Sequence, residues 1–387
     1  MKVAITTLGC DKNTVDSETL AGALKSQGYT LVARDEDADI IIVNTCAFIK
    51  SARDEALKVI KSKLKYKAKV VITGCITVKH KNLLPDGVEV WEIGKHTGQK
   101  LLSTPQSYTY IKISDGCDNH CSYCTIPSIR GRYIARHETD ILKEITHFAN
   151  IGVGEFILVA QDLTRYPNLI ALIRNISKIK GVKRIRLHYI YPSGITDDLI
   201  TEVKTNPKVC KYLDIPFQHI SPRILNLMNR KPINPLALVK KLHGITVRST
   251  FMVGFPTETE EDFEILCNFL KTARLDYVGF FKYSREVGTP AHSMSQIDDK
   301  TKTSRLKTVQ SIQNDILLQI HQSKIGKTVK VVCDFVDDVL GYSIVRSESQ
   351  SPDVDPVIIV KDKLQVGRYY EVKIIELRDE NLIGEAI

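Results

Sequence analysis

Three cysteines stand four and three positions apart in the run Gly116-Cys117-Asp118-Asn119-His120-Cys121-Ser122-Tyr123-Cys124. Thiolates held this close together can ligate three irons of a cubane cluster and leave the fourth iron without a protein ligand. An open iron can coordinate a substrate, the property that separates catalytic metal sites from closed structural ones. On spacing alone, zinc held by the same cysteines plus His120, or a chance group of buried thiols, is the alternative.

A second trio is spread along the N-terminal part of the chain. Cys10, Cys46 and Cys75 each stand one or two residues beyond a predicted strand, in Thr6-Thr7-Leu8-Gly9-Cys10, Val43-Asn44-Thr45-Cys46 and Ile72-Thr73-Gly74-Cys75. If those strands are parallel neighbours, the three thiols meet at one edge of the sheet. Glycine before Cys10 and Cys75 lets backbone come close to an inorganic cluster. The other three cysteines, Cys210, Cys267 and Cys333, read as small core residues.

The elements that must position these residues follow from hydrophobic periodicity. Runs at 3–8, 38–45 and 68–73 are short, apolar and β-branched, with helical patterns at 16–27 and 51–64 between them. That alternation predicts βαβ crossovers and a doubly wound parallel α/β domain over 1–98, whose strand C-terminal ends share one ligand-binding edge. From 106 to 323 the beat lengthens, with strands at 110–113, 155–160, 184–189, 212–215, 249–253 and 276–283 and helices such as 139–150, 168–179 and 260–272. Six strands predict a partial (β/α)6 TIM-like barrel, with the Cys117 loop after its first strand and hence at the C-terminal mouth. After a polar helix at 300–322 come short strands at 328–334, 342–346, 357–360 and 368–377, the pattern of a small antiparallel β-barrel over 325–387.

Composition narrows the class. At 387 residues, two or three domains are expected. The chain begins without a signal-type apolar stretch, and no apolar run reaches membrane-spanning length, so a soluble cytoplasmic protein without membrane association is expected. Nine cysteines are an odd count without the dense, even spacing of a secreted disulfide framework. The net charge of +9 is unevenly distributed: residues 325–387 hold 8 Lys+Arg against 12 Asp+Glu, net −4. Tail and body should therefore face different partners.

The triplet at 117–124, with an aromatic residue before its last cysteine, resembles the radical S-adenosylmethionine superfamily. Together with the N-terminal trio and the β tail, it resembles the methylthiotransferases over essentially the whole chain. Leu8-Gly9-Cys10-Asp11-Lys12-Asn13-Thr14-Val15-Asp16-Ser17-Glu18, Ser114-Asp115-Gly116-Cys117 and Ile126-Pro127-Ser128-Ile129-Arg130-Gly131-Arg132 look like the branch that modifies ribosomal protein uS12. The tRNA-modifying branch typically has Gln-Met-Asn where this chain has Asp11-Lys12-Asn13. Further matches are Leu158 to Tyr166, Pro216 to Ser221 and Tyr283 to Ala291. Two departures stand out. Thr257, in Gly254-Phe255-Pro256-Thr257-Glu258-Thr259-Glu260, occupies a position where the family usually has glycine, and Ile134-Ala135-Arg136 stands where it often has Arg-Ser-Arg.

The resemblance implies a TRAM-like tail and two 4Fe-4S clusters, one on Cys117, Cys121 and Cys124 and one on Cys10, Cys46 and Cys75. It implies S-adenosyl-L-methionine both as radical source, by reductive cleavage to a 5'-deoxyadenosyl radical, and as methyl donor. The product would be a methylthio group on the β-carbon of an aspartate of uS12, a C–H position beyond the reach of side-chain bases. Tyr123, Gln161 and Asp162 are candidate cofactor contacts by position; His219 is a candidate barrel-mouth residue or a packing histidine. An electron donor such as a flavodoxin or ferredoxin is implied, acting on a monomer. The acidic tail suits a basic ribosomal protein, since a tail that grips RNA is expected to be basic. A tRNA methylthiotransferase, and a non-catalytic metal-binding ribosome assembly factor with zinc in one or both trios, are the alternatives.

Overall fold

The structure, a computed structural model, describes residues 1–92 and 99–387; the predicted end of the first domain at 98 lies outside them. The chain forms two compact units, one of residues 1–103, 115–134 and 284–292 and the other of residues 104–114, 135–283 and 293–387.

In the first unit β1 (Lys2–Thr7), α1 (Asp11–Ser26), β2 (Thr30–Leu31), β3 (Ile40–Thr45), α2 (Lys50–Lys63), β4 (Lys69–Gly74), α3 (Cys75–Lys79) and β5 (Val88–Val90) follow in order. Their strands make one parallel sheet, β2-β1-β3-β4-β5. Both faces are covered: Ile41, Val43 and Ile72 pack with Ala56 and Ile60 of α2, and Val3, Ile42 and Val71 with Leu20 and Leu24 of α1. Strands buried on two sides read as continuous apolar runs, which is why β3 opens Ile-Ile-Ile-Val. Helix α1 starts five residues before the predicted position. Its first turn, Asp11-Lys12-Asn13-Thr14, carries no apolar stripe to read, although Lys12 and Asn13 are buried.

β6 (Tyr108–Lys112) opens the sheet of the second unit. Then β7 (Ser114–Asp115) and β8 (Ile134–Ala135) bracket the Cys117 loop in sequence, with α4 (Ile126–Arg130) inside it. α4 packs on α3, and its Ile129 joins the core beside Val43, Cys75 and Ile76.

The second unit continues with α5 (Glu138–Asn150), β9 (Glu155–Val159), α6 (Leu169–Lys178), β10 (Arg184–Leu187), α7 (Asp197–Thr205), β11 (Val209–Asp214), α8 (Pro222–Leu227), α9 (Pro235–Lys241), β12 (Thr246–Val253), α10 (Glu260–Ala273), β13 (Tyr277–Lys282) and α11 (Asp299–Gln322). The six strands pair in parallel as β6-β9-β10-β11-β12-β13, the expected partial barrel. The tail strands β14 (Thr328–Asp337), β15 (Tyr342–Ser347), β16 (Ile358–Val360), β17 (Tyr369–Arg378) and β18 (Asn381–Ala386) close a barrel in which β16 and β18 run parallel. The expected small antiparallel β-barrel thus forms, with this one parallel pair. A closed ring with an odd number of strands cannot alternate direction throughout, and β18 had gone unread.

Barrel sheet and tail meet on a buried ion cluster. Glu155 accepts from Arg186 Nε at 2.8 Å and from Arg346 Nη1 at 2.8 and 2.9 Å, with all three side chains at most 1% exposed. Burial would raise the Glu155 carboxyl, but the three nearby guanidiniums, Arg186, Arg346 and Arg184, override it and bring it down to about 2. Beside this cluster, Tyr108 and Tyr110 donate to Asp353, Tyr212 to Asp355, and Arg186 to the carbonyl of Glu348. Arg184 and Arg186 of β10 are thus buried.

Thr257 adopts φ 65°, a conformation in which a β-branched residue is strained. Its carbonyl accepts from Arg223 and its N–H donates to Ser295. The neighbouring Glu258, at 2% exposure, takes the N–H of Gly254 and pairs with Arg305 and His219. Asp262 closes a capping box with Thr259 at the start of α10.

Replacing Glu155 by Ala leaves the buried Arg186 guanidinium without its counter-charge and is expected to cost about 3–5 kcal/mol in urea unfolding. The ion cluster stabilises fully above the ordinary carboxylate range, so the gap between wild type and Glu155→Gln should narrow as pH falls from about 4 toward 2. Thr257→Gly should stabilise by about 1 kcal/mol, the left-handed strain relieved less the added chain entropy of glycine. Thr257→Ala, which keeps a Cβ at the same φ, should give no such gain.

Candidate iron-sulfur centre

The three turns that follow β1, β3 and β4 lie side by side because those strands are hydrogen-bonded neighbours, with Thr7 opposite Asn44 and Thr45 opposite Gly74. Cys10 is the N-cap residue of α1, Cys46 follows β3 directly, and Cys75 is the first residue of α3. Two glycines make the close approach possible. Gly9 has φ 104°, and a Cβ there would lie 2.7 Å from Cys46 Cβ and 3.2 Å from its sulfur; Gly74 has φ 91°, with Asn44 Oδ1 and Thr45 N each 2.4 Å from where a Cβ would stand.

A buried polar lattice fixes these turns. Asn13 Nδ2 donates to the carbonyls of Leu8 and Thr45 at 2.8 and 3.0 Å. Asn44 Nδ2 donates to the carbonyl of Asn13 and the hydroxyl of Ser17, both at 2.9 Å. The Thr45 hydroxyl donates to the carbonyl of Thr73 at 2.6 Å and accepts from Ile76 N. Sequence reasoning did not single out Asn13, Asn44 and Thr45. The available signal was two polar residues ending an otherwise apolar strand directly before a cysteine. Burial pushes the Cys46 thiol up to about 11 and the Cys75 thiol upward, with neighbouring thiols adding to the shift and the Arg130 guanidinium opposing it.

The Cys117 loop belongs to the same compact unit. Cys117 N–H donates to the carbonyl of Gly131 at 3.1 Å and Cys124 N–H to that of Cys121 at 3.0 Å. The amides of Asn119 and Ile126 donate to the sulfurs of Cys117 and Cys124, both at 3.4 Å. Tyr123 is buried, and the carbonyl of Ser122 accepts from Ala291 N–H at 2.9 Å. His120 is exposed. Among the described residues, no three His, Cys, Asp or Glu side chains are grouped to hold a single metal ion. Soft thiols, backbone N–H groups on sulfur and glycine turns without Cβ are the donor environment an iron–sulfur cluster takes.

Gln161 and Asp162 belong to the second unit, beyond the end of β9. Asp162, 3% exposed, accepts from the backbone and hydroxyl of Thr164 at 3.1 and 2.6 Å and so caps the turn Leu163–Arg165. His219 is fully buried; its Nδ1 accepts from Ser221 N–H and its Nε2 faces Glu258, the hydrogen-bonded packing role. Two cavities of about 530 and 540 Å³ open in the second unit, and no cysteine lines either. No helix among the described residues is long and apolar enough to cross a membrane.

Family comparisons match the described architecture. Residues 2–91 match "Uncharacterized protein family UPF0004", 111–270 the radical SAM superfamily and 325–387 the TRAM domain. Among solved structures, a radical S-adenosylmethionine methyltransferase, TsrM of Kitasatospora setae, aligns with a TM-score of 0.55 at 15% identity, over 93% of this chain and 80% of that one. This likeness shows the shared fold. The protein is a radical S-adenosylmethionine enzyme of the class that transfers sulfur-containing groups. Over 440 residues it is 38% identical to the ribosomal protein uS12 methylthiotransferase RimO of Caldicellulosiruptor saccharolyticus, covering 100% of both chains, and 39% identical to that of Clostridium kluyveri, covering 99% and 98%. The chain belongs to the RimO methylthiotransferase family.

The Gly9 turn can be tested directly. Gly9→Ala combines left-handed strain with a clash against Cys46 and is expected to destabilise by about 2–4 kcal/mol. Gly28→Ala, at φ 87° with nothing within 4 Å, should cost only the backbone part, about 1–2 kcal/mol. Equal losses in denaturant unfolding would show that contact with Cys46 plays no part.

Proposed function

We propose that the chain places a methylthio group on the β-carbon of an aspartate of ribosomal protein uS12. The observation that carries this reading is the meeting of Cys10, Cys46 and Cys75 at one edge of a parallel sheet, in a chain whose full length resembles enzymes named for that reaction. Cys117, Cys121 and Cys124 would hold one 4Fe-4S cluster and Cys10, Cys46 and Cys75 another. When bound, these clusters and S-adenosyl-L-methionine supply the hydrogen-abstracting radical, the sulfur and the methyl group.

The chain's own residues hold and shield that chemistry. Asn119 and Ile126 amides direct hydrogen bonds at the first trio's sulfurs, and Asn13, Asn44 and Thr45 fix the turns of the second. Tyr123 and Gln161 are the proposed cofactor contacts. Asp162 sets the turn that follows Gln161 and contributes to that site through it. The functional division is into a methylthiotransferase domain over 1–98, a radical domain over 106–323 and a TRAM-like domain over 325–387. A cytoplasmic monomer reduced by a flavodoxin- or ferredoxin-type donor fits a ribosomal substrate.

Anaerobic reconstitution with S-adenosylmethionine, dithionite and a uS12 peptide tests the assignment. Wild type should form 5'-deoxyadenosine and shift the peptide by a methylthio mass. The triple replacement of Cys10, Cys46 and Cys75 by Ala should keep 5'-deoxyadenosine formation and lose the methylthio product. A triple variant that still transfers methylthio would sink the role of the second trio. A deletion strain that loses a tRNA methylthio group, with uS12 unaffected, would transfer the assignment to tRNA.

A further inference from the structure

Arg130 ends α4, the short helix that starts two residues after Cys124, yet its side chain serves the other trio. The guanidinium is 3% exposed and donates to Asp16 at 2.5 Å and to Asn13 Oδ1 at 2.8 Å, with Asp115 at 3.6 Å. Asn13 in turn holds the carbonyls of Leu8 and Thr45, beside Cys10 and Cys46, and its Oδ1 lies 3.9 Å from Cys10 sulfur. Ile129, next to Arg130 in α4, packs in one core cluster with Cys75. One buried cation therefore orders, through Asn13, the turns that carry Cys10 and Cys46, from a helix that lies in the first trio's loop and packs on α3, which begins at Cys75.

A buried charge of this kind is costly unless the site uses it. Asp16 compensates the cation, which would suffice for packing; a purely structural pair needs no thiols around it. Cubane clusters on three thiolates are anionic and gain a further negative charge on reduction. A fixed cation beside their sulfurs stabilises the reduced form and raises the potential, while the rigid fork to Asn13 keeps the ligand turns in register.

We propose that Arg130 is a positioning residue for the second cluster, setting its reduction potential and its retention. The inference rests on the two-cluster reading given above. Its chemistry is that of charge and hydrogen bonding at sulfur, with Arg130 itself neither ligand nor acid.

The test uses the full chain, reconstituted anaerobically with iron and sulfide, as wild type, Arg130→Lys, Arg130→Gln and the control Arg132→Gln, whose side chain is 93% exposed. Iron content is measured first, about eight per chain being expected for two cubanes. Redox titration followed by electron paramagnetic resonance is then run in a background where Cys117, Cys121 and Cys124 are Ala, isolating the second cluster. Arg130→Gln should lose up to half the iron of wild type, and any second cluster it keeps should titrate at a lower potential. Arg130→Lys, which keeps charge without the fork, should recover the potential more fully than the iron content. If Arg130→Gln retains no second cluster, the Lys variant carries the potential measurement, and a Lys variant as depleted as Gln would overturn the electrostatic role. An Arg130→Gln protein with wild-type iron and potential would overturn the proposal outright. A wild type that holds only about four irons would instead overturn the two-cluster reading beneath it, an outcome visible before any variant is compared.

Discussion

Parallel pairing of β1, β3 and β4 is the constraint on which the candidate centre depends. The three cysteines are distant in sequence, and nothing local to any of them brings the others near. Their meeting follows from register: Thr45 and Gly74 end β3 and β4 at the same height and Thr7 ends β1 opposite Asn44, so Cys46 and Cys75 directly, and Cys10 after Leu8 and Gly9, fall on one edge. A slip of one residue in β3 would move Cys46 along the edge and turn Asn44 and Thr45 out of their lattice, stranding buried polar groups. The apolar body of β3, covered on both faces, specifies the register that its two polar terminal residues then use.

The two units handle buried charge in contrasting ways. In the barrel and tail, Glu155 is surrounded by Arg186, Arg346 and Arg184, and Arg346 is matched again by Asp334 at 2.9 Å. These charges are consumed by one another, and the cluster fixes where the tail sits on the sheet. In the first unit, Arg130 and Asp16 form a pair of similar burial, but thiols complete the surroundings. The first arrangement is architecture. The second leaves a cation beside groups that can become anionic, which gives it a bearing on chemistry.

How much of this was legible follows from what each signal averages over. Six barrel strands and three N-terminal strands were readable because continuous apolar runs report two-sided burial directly. The gathering of Cys10, Cys46 and Cys75 at one sheet edge was readable from their placement relative to those runs, and the closeness of Cys117, Cys121 and Cys124 from their own spacing. The first turn of α1 was not, since Asp11, Lys12 and Asn13 look exposed by type and are partly or wholly buried by polar contacts that periodicity does not weigh. The burial of Arg184 and Arg186 was not legible for the same reason: alternation within a strand sends both to one face, but their partners, Glu155 and the carbonyl of Arg346, come from other strands. Thr257 was legible as a departure, and its positive φ agrees with the glycine usual at that position. The Arg130 contacts were hidden because they join residues more than a hundred positions apart.

The tail shows how a charge count changes meaning on folding. Along the chain, residues 325–387 carry an acidic excess that favours a basic partner. In the structure, Asp334 is held by Arg346, Asp353 by two tyrosine hydroxyls, and Asp355 by Tyr212 and the amide of Ser351. Asp353 and Asp355 position the tail against the barrel, and Asp334 ties β14 to β15 within the tail. The acidity left for a partner is that of outward groups such as Glu371 on β17 and Glu380 in the turn after it, while the exposed Asp338 and Glu376 are paired with Lys363 and Arg378. Complementarity to a basic protein therefore rests on how these groups are arrayed over the barrel surface, a geometric property, and the net charge of the segment is only its sum.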